Sequence, residues 1–292
     1  MSGVVLANAS LDIAFHDTVL KSTATTTVEK NEYSKKSDEY IKMFWVGLMD
    51  GDGSIQVNHW RRQSLQYRLV IKLSNIKSNY DMLIKIAKVI GGNVRITGKG
   101  KDVIWVVDKK ETVQEIIKIF DSYPLLTSKK ICQLEFLKRC LLENSVDYYL
   151  LNRNSKYRNQ SVIINSDPFG INSEKNFLPD YFKGWLSGFV EAEGCFSVTS
   201  GAAERLRVGR RPTLRRKNNN HSFSIGQNDD LYLMNAIKQF FGITNIVRNP
   251  HRNFYFIEVY KKETIKRIIN HFNNYPLLGE KAESFQKFKQ HF

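Results

Sequence analysis

The chain has 292 residues, 42% of them hydrophobic and 12% aromatic, enough for a core in one large or two modest domains. Lysine and arginine number 44 against 29 acidic residues, so the formal net charge is +15. A surplus of this size indicates a polyanionic partner, with nucleic acid as the first candidate. No apolar run is long enough to span a membrane. Three cysteines without a C-x-x-C pair disfavour disulfide and metal-thiolate frameworks, and we expect all three to be buried in a protein of a reducing compartment.

The N-terminal stretch differs from the rest of the chain. Residues 3–17, Gly-Val-Val-Leu-Ala-Asn-Ala-Ser-Leu-Asp-Ile-Ala-Phe-His-Asp, lack the basic start and cleavage pattern of a signal peptide. They closely resemble a segment of mitochondrial cytochrome c oxidase subunit one. The resemblance implies a mitochondrial, intron-encoded reading frame fused in phase to an upstream exon. Residues 18–39 are rich in Thr, Ser, Lys and acidic side chains, so we expect 1–37 to be an exon-derived and disordered leader.

A regular pattern of elements begins at Tyr40. A helix leads to the alternating strand Ser54–Trp60, and a basic turn joins that strand to a second one, Gln66–Ser74. Beyond them we predict a helix at 78–90, strands at 93–97 and 103–108, and helices at 111–121 and 128–142. The order is α-β-β-α-β-β-α with one further helix, so the first folded half covers residues 38–142.

The same order recurs in the second half of the chain. We predict helices at 180–192, 230–241, 263–272 and 279–292, and strands at 195–200, 221–227, 245–248 and 253–260. Segments 109–126 and 261–278 match in letters as well, both beginning Lys-Lys-Glu-Thr and ending Tyr-Pro-Leu-Leu. They lie 152 residues apart, whereas Asp52 and Glu193 lie 141 apart, which places a net insertion of 11 residues near Gly201–Asn220. The sequence thus predicts a duplicated domain of the α+β class, with a linker at 143–179 and a second half at 180–292.

Each half begins with a related nine-residue motif. The first is Trp45-Val-Gly-Leu-Met-Asp-Gly-Asp-Gly53 and the second is Leu186-Ser-Gly-Phe-Val-Glu-Ala-Glu-Gly194. We interpret each as the end of a helix that stops at a glycine in the left-handed conformation. Small residues four apart predict close backbone packing of the two helices: Gly47 with Gly51, and Gly188 with Ala192.

Packing of the two helices would bring acidic side chains together at the negative ends of two helix dipoles. Such a pair is costly without a cation, and oxygen ligands favour Mg²⁺. Helical spacing leaves open whether the acids are Asp52 and Glu193 or Asp50 and Glu191. Two amphipathic helices with solvated acidic ends are the alternative, but two copies at matching positions favour a site.

The two motifs resemble the signature helix of the LAGLIDADG homing endonucleases in their single-chain form. The resemblance covers about residues 38–292, and the first motif departs from the pattern at Trp45, Val46, Met49 and Gly51. It implies two pseudo-twofold-related αββαββα(α) halves with saddle-like antiparallel sheets. It also implies that Asp52 and Glu193 are the metal ligands, and we include the preceding Gly51 and Ala192 in the expected metal site.

Further catalytic candidates come from the same resemblance. Lys129 and Lys281 follow the two Tyr-Pro-Leu-Leu segments at equal spacing and would stabilise charge on the phosphate, although Lys130 could replace Lys129. Gln227 matches a pocket glutamine of the family. Its first-half counterpart is Ser74 or Asn75, which makes the two sites unequal.

The exposed sheet faces are the expected nucleic-acid surface. Arginine and glutamine on strands can read base edges, whereas loop arginines favour phosphates, and a merely solvated charge run is the alternative. The candidates are His59, Arg61, Arg62, Gln66, Arg68, Lys72 and Arg95 in the first half, and Arg205, Arg207, Arg210, Arg211, Arg215, Arg216, Lys217, Arg248 and Arg252 in the second.

These features predict a monomeric, Mg²⁺-dependent, site-specific endonuclease for double-stranded DNA. An RNA maturase that assists splicing of the host intron is the main alternative, and a metal-free DNA-binding regulator is a third. Because a protein that only binds has no need of a repulsive carboxylate pair, the two acids favour cleavage.

Overall fold

A computed structural model of the chain describes residues 35–166, 168–170, 178–199 and 220–292. The chain divides into two compact units, Met1–Ile41 and Lys42–Phe292. The segment that resembles the oxidase subunit (residues 3–17) and most of the expected leader lie outside the described residues. Where the structure describes the chain, no helix is long and apolar enough to cross a membrane.

The first half of the fold follows the predicted order of elements. Helix α1 (residues 35–51) leads into strands β1 (Gly53–Trp60) and β2 (Ser64–Ser74). The remaining elements are α2 (Lys77–Ile90), β3 (Asn93–Thr97), β4 (Asp102–Val107), α3 (Lys110–Ile116), α4 (Ile119–Ser122) and α5 (Ser128–Glu143).

The second half repeats this order. Its elements are α8 (Phe182–Glu193), β5 (Gly194–Thr199), β6 (Asn220–Asn228), α9 (Leu231–Phe240), β7 (Arg248–His251), β8 (Phe254–Val259), α10 (Lys262–Asn274) and α11 (Glu280–Gln290). In its described part, the segment predicted as a linker contains the short helices α6 (Val146–Asn152) and α7 (Gln160–Asn165), and both contact α5.

Each half builds a four-stranded antiparallel sheet with the same topology. The strand orders are β1-β2-β4-β3 and β5-β6-β8-β7, so the predicted α+β fold with two related halves is confirmed. Alternation along each strand sends one set of side chains into the core, Tyr67, Leu69 and Ile71 in β2, for example. The other face of each sheet carries mostly polar side chains in the first half, such as Gln66, Arg68 and Lys72, and both polar and aromatic side chains in the second.

Aromatic side chains fill much of the core. In the first half Trp45 stacks on Phe120 at 5.0 Å between ring centroids and meets Trp105 edge-on at 5.6 Å. In the second half Phe196 contacts Phe223, Phe272, Phe285 and Phe288 at 5.3–5.6 Å. These contacts hold the helices against the inner face of each sheet.

The structure corrects three local predictions. The glycines after the motif helices are not left-handed: Gly194 has φ −81° and ψ 156°, because the chain passes straight into a strand. A Cβ at Gly194 would lie 2.5 Å from Val190 Cγ1, so glycine is required there for space. The helix predicted at 111–121 is broken into α3 and α4 by 3₁₀-type bonds around Ile117 and Lys118. The strand predicted at 245–248 is instead β7 at Arg248–His251. Asn245 lies before this strand and contacts β8 through its side chain, which donates to the Glu258 carbonyl at 2.9 Å.

Candidate active site and nucleic-acid surface

The two motif helices, α1 and α8, pack with their backbones in contact. A Cβ atom at Gly47 would overlap the carbonyl oxygen of Trp185 and lie 2.8 Å from the nitrogen of Phe189. The reciprocal contact holds at Gly188, where a Cβ would overlap the carbonyl oxygen of Phe44. The predicted small-residue packing is therefore present, and it brings the two helix ends side by side.

The inner acid of each motif is saturated with hydrogen bonds. Asp50 accepts from Leu126 N (2.8 Å), Thr127 N (3.0 Å), Thr127 Oγ1 (2.6 Å) and Trp185 Nε1 (2.7 Å). Burial nevertheless raises the pKa of Asp50 to about 6. Its counterpart Glu191 accepts from the backbone nitrogens of Leu278 and Gly279 (both 3.1 Å) and Lys281 (2.8 Å). These acids hold the N-termini of α5 and α11, where a negative charge is favoured.

The outer acid of each motif is in the opposite situation. Asp52 and Glu193 are exposed, and no hydrogen bond to either carboxylate is found among the described residues. A Cβ at Gly51 would lie 3.6 Å from Glu193 Oε1, which shows how close the second carboxylate comes to the first motif. Loss of hydration raises the pKa of both acids, and the charge of Asp52 raises that of Glu193 further.

Two lysines oppose this negative charge. Lys130 and Lys281 both act on Asp52 and Glu193 and lower their pKa values against the larger effect of desolvation. Lys130 Nζ donates to the carbonyl oxygen of Gly53, at the end of the first motif.

The structure corrects which lysine of the first half neighbours the acids. Lys129 Nζ forms an ion pair with Asp229 Oδ2 at 2.8 Å, in the second half of the chain. Lys130 takes the position expected for Lys129.

The residues around Asp52 and Glu193 suit a hard divalent cation. Two carboxylates with unused oxygens meet where two helices end, and the last carbonyl groups of a helix carry partial negative charge. Within the described ranges no cluster of three or more His, Cys, Asp or Glu could hold an ion alone. A cation bound here would therefore rely on further oxygen ligands, which water and phosphate provide.

The helices that carry Lys130 and Lys281, α5 and α11, each begin with a backbone nitrogen that donates to a side chain of the other half. Asp230, just before α9, accepts from Ser128 N at 3.2 Å, and Asn79 of α2 accepts from Glu280 N at 3.0 Å. The first acceptor is a buried carboxylate whose pKa burial raises to about 6, and the second is a neutral amide. Gln227 Nε2 donates to Asp230 Oδ2 at 3.5 Å, whereas Asn75 Nδ2 in the first half donates to the Gly100 carbonyl at 2.8 Å. The contacts of Gln227 and of its counterpart Asn75 therefore differ between the two halves.

The outer face of the first sheet carries most of its predicted readers. Gln66, Arg68, Lys72 and Arg95 share this face by strand alternation. Lys72 pairs with Asp102 at 2.9 Å, and Arg95 lies 4.0 Å from Asp108. Gln56 and Asn58, opposite Arg68 and Gln66, lie on the same face and were not among the predicted residues, although their alternation with Ile55 and Val57 indicated it.

His59 is the exception among these residues. By strand alternation His59 lies on the same inner face as Ile55 and Val57, and its ring centroid lies 5.8 Å from that of Tyr149 in α6. Its Nδ1 accepts from Arg62 N at 3.1 Å, so the side chain supports the β1–β2 turn. Arg61 and Arg62 are exposed in that turn with positive φ angles of 48° and 60°. His59 therefore holds the turn in place and does not lie on the outer face.

The second sheet presents a different outer face. Arg248 lies on this face and pairs with Glu258 at 3.3 Å, and Arg252 is exposed at the β7–β8 turn. Cys195 is also exposed, whereas Cys132 and Cys140 are buried, so the prediction of three buried thiols is wrong for one of them. Seven predicted DNA contacts lie outside the described residues: Arg205, Arg207, Arg210, Arg211, Arg215, Arg216 and Lys217.

Sequence comparisons identify relatives of the whole folded region. A family model described as LAGLIDADG endonuclease matches residues 45–140 and 186–292. A probable intron-encoded endonuclease aI3 of Debaryomyces hansenii is 45% identical over 99% of this chain, which spans about half (48%) of that relative's length. A protein of the same description from Dictyostelium citrinum is 45% identical over 90% of this chain and its own entire length.

Solved structures show the same fold. The LAGLIDADG meganuclease I-CpaMI, bound to uncleaved DNA, superposes with a TM-score of 0.63 at 21% identity, covering 85% of this chain and 90% of its own. The I-SmaMI homing endonuclease, bound to cleaved DNA, gives a TM-score of 0.63 at 19% identity, covering 85% and 87%. With two motifs, two matching halves and these relatives, the chain belongs to the LAGLIDADG endonuclease family and carries both halves of the fold on one polypeptide.

Proposed function

We propose that this protein is an intron-encoded homing endonuclease that cuts both strands of a long, asymmetric DNA site. One observation carries the proposal: Asp52 and Glu193 meet at the ends of two packed helices with no hydrogen bonds from the described residues, while the acids two positions earlier are saturated. Folding alone gives no reason to place two like charges together without hydrogen bonds, whereas hydrolysis of a phosphodiester does.

Each residue of the site has a role in this proposal. Asp52 and Glu193 would hold Mg²⁺ beside Gly51 and Ala192. A divalent ion bound there supplies positive charge against the phosphate and activates water. Lys130 and Lys281 stabilise the negative charge that develops on the scissile phosphate, in a site where loss of hydration strengthens each interaction.

The sheet faces supply the binding energy and the specificity. Gln56, Asn58, Gln66 and Arg68 form a polar stripe on one face of β1 and β2, a strand arrangement that can enter a major groove. Within this stripe the buried Nε of Arg68 has no hydrogen-bond partner among the described residues. The net charge of +15 favours the phosphate backbone of any duplex.

The relatives support the same function. Two are named probable intron-encoded endonucleases, and the two solved structures of the same fold were determined with DNA. Since both halves lie on one chain, we propose that the protein acts as a monomer. The exon-like residues 3–17 support a mitochondrial location.

The experiment is a plasmid cleavage assay with the purified full chain. The substrate carries the intronless junction of the host oxidase gene, and the matched control carries the same gene with the intron in place. We expect one double-strand break in the first plasmid with Mg²⁺, none with chelator, and none in the control. Intact junction plasmid in Mg²⁺ together with tight binding of the intron RNA would replace this proposal with the maturase function.

A further inference from the structure

Two phenylalanines lie on the outer face of the second sheet. Strand β8 pairs with β6 so that Phe256 is opposite Gly226 and Phe254 is opposite Asn228. The alternate residues Ile257 and Val259 are buried against the helices, so Phe254 and Phe256 point to the other side. Both side chains are half-buried, and they share this face with Ser224 and the exposed Cys195.

The two rings lie close over the backbone of a glycine. Their centroids lie 6.2 Å apart with 30° between the planes. A Cβ atom at Gly226 would lie 2.5 Å from Phe254 Cζ and 3.2 Å from Phe256 Cδ2. Both rings therefore lie across the β6 backbone at Gly226, where any other residue would push them away from the sheet. The pair forms a small, preorganised apolar surface.

The first half has no such surface. With the offset of 152 residues, Asp102 and Ile104 correspond to Phe254 and Phe256, and Ser74 corresponds to Gly226. There the outer face carries an ion pair of Asp102 with Lys72 at 2.9 Å and one aliphatic side chain, Ile104, at the place of the two rings. The aromatic pair is thus a property of the second half.

The polar groups around the pair indicate a duplex as its partner. Arg248, on the same face beside Phe256, is held by Glu258, and Arg252 is exposed at the end of the same hairpin. The thymine methyl is the apolar group that the major groove presents, and phenylalanine is one of the side chains that contact it. Resting on the function proposed above, we propose that Phe254 and Phe256 read the 5-methyl groups of thymines in the half-site bound by the second half.

The experiment replaces thymine by deoxyuridine, which removes the methyl group and keeps every base-pairing atom. A duplex site is first selected from random DNA by the full chain in Ca²⁺, and each thymine is then replaced singly. We expect one or two positions in the second half-site where uracil weakens binding about four-fold, the value of one apolar carbon removed from contact. The same replacement throughout the first half-site is the internal control.

Variants assign the effect to the pair. Phe254→Ala and Phe256→Ala should bring the thymine-to-uracil affinity ratio at those positions to one, while Phe256→Leu should keep part of it. Gly226→Ala should also lower the ratio, because its methyl group displaces the rings. Unchanged melting temperatures and unchanged affinity ratios at the first half-site would show that the variants are folded and bind in register.

Three results would overturn the inference. One is a second half-site without an invariant thymine, and another is a thymine-to-uracil ratio of one at every position for the wild-type protein. The third is an alanine variant that loses affinity for single-stranded RNA but keeps the thymine-to-uracil affinity ratio. Stacking of RNA bases would then account for the two rings. Failure to select any duplex would instead contradict the proposed function itself.

Discussion

The indole Nε1 of Trp185 donates a 2.7 Å hydrogen bond to Oδ2 of Asp50, joining the two motif helices by side chains where their backbones already touch. Asp50 also accepts hydrogen bonds from the backbone nitrogens of Leu126 and Thr127. One carboxylate therefore holds both the partner helix and the loop before α5. Asp52, two residues later, receives no hydrogen bond from the described residues. One motif therefore contains an acid held by hydrogen bonds and an acid that receives none, and we propose that the second serves the chemistry.

This division predicts opposite effects on stability. Asp50→Asn should lower the free energy of unfolding by about 3 kcal/mol, because four donors converge on a side chain left with a single acceptor oxygen. Asp52→Asn is the matched control and should be as stable as the wild type or more so, since it removes repulsion with Glu193. Urea denaturation measures both, and equal losses would refute the division.

The adjacent lysines predict a second contrast. Lys130→Met should slow single-turnover cleavage about 100-fold with little change in DNA affinity, because Lys130, and not its neighbour Lys129, acts by its charge on Asp52 and Glu193. Lys129→Met loses only an ion pair at the surface with Asp229 and should cleave at nearly the wild-type rate. A reversal of the two phenotypes would restore Lys129 to the site.

His271 predicts part of the response to acid. Its ring is buried among Phe240, Phe241 and Phe272, and burial, with a smaller effect of Lys183, lowers its pKa to about 4. A folded-state pKa below the unfolded value means that the neutral ring stabilises the fold above pH 6.5, and this is lost as the pH falls toward 4.

The size of the loss is on the order of 3 kcal/mol. Asp230, with its pKa raised to about 6, acts in the reverse direction over the same range, so the comparison must be with His271→Phe. The difference in unfolding free energy between wild type and variant should change by that amount between pH 7 and pH 4. A constant difference would mean that His271 titrates normally in the folded protein.

Cys195 provides a probe of the proposed DNA-binding face. It is exposed on the outer face of β5, while Cys132 and Cys140 are buried. Alkylation of the native protein should therefore modify one thiol rapidly, and the specific duplex should slow that reaction severalfold. Cys195→Ser should abolish the rapid phase. The same rate with and without duplex would place the DNA elsewhere.

Sequence patterns were sufficient for the frame of the molecule. Period-two alternation located β1 and β2 within two residues, and the repeated Tyr-Pro-Leu-Leu segments revealed two halves. The same alternation places His59 on the same face of β1 as Ile55, so its inward position could have been predicted from the sequence. The exposed Cys195 likewise follows the parity opposite to that of Phe196.

Other features depend on contacts that no local pattern contains. Lys129 and Lys130 point in different directions from one helix, and the exact start of α5 decides which of them meets the acids. Asp50 and Asp52 are distinguished by donors more than 70 residues away, and Asp230 binds Ser128 across 102 residues. Sequence spacing does not predict such partners, because the geometry depends on the loops between them.

The most direct test of the account is cleavage of the junction plasmid by Asp52→Asn and Glu193→Gln in Mg²⁺. Both variants should bind the site with at least wild-type affinity and should produce no linear DNA, because each lacks one of the two carboxylates that we propose hold the metal. Asp50→Asn at a temperature where it is folded is the control and should retain cleavage. Linear product at the wild-type rate from either Asp52→Asn or Glu193→Gln would contradict the assignment of the active site.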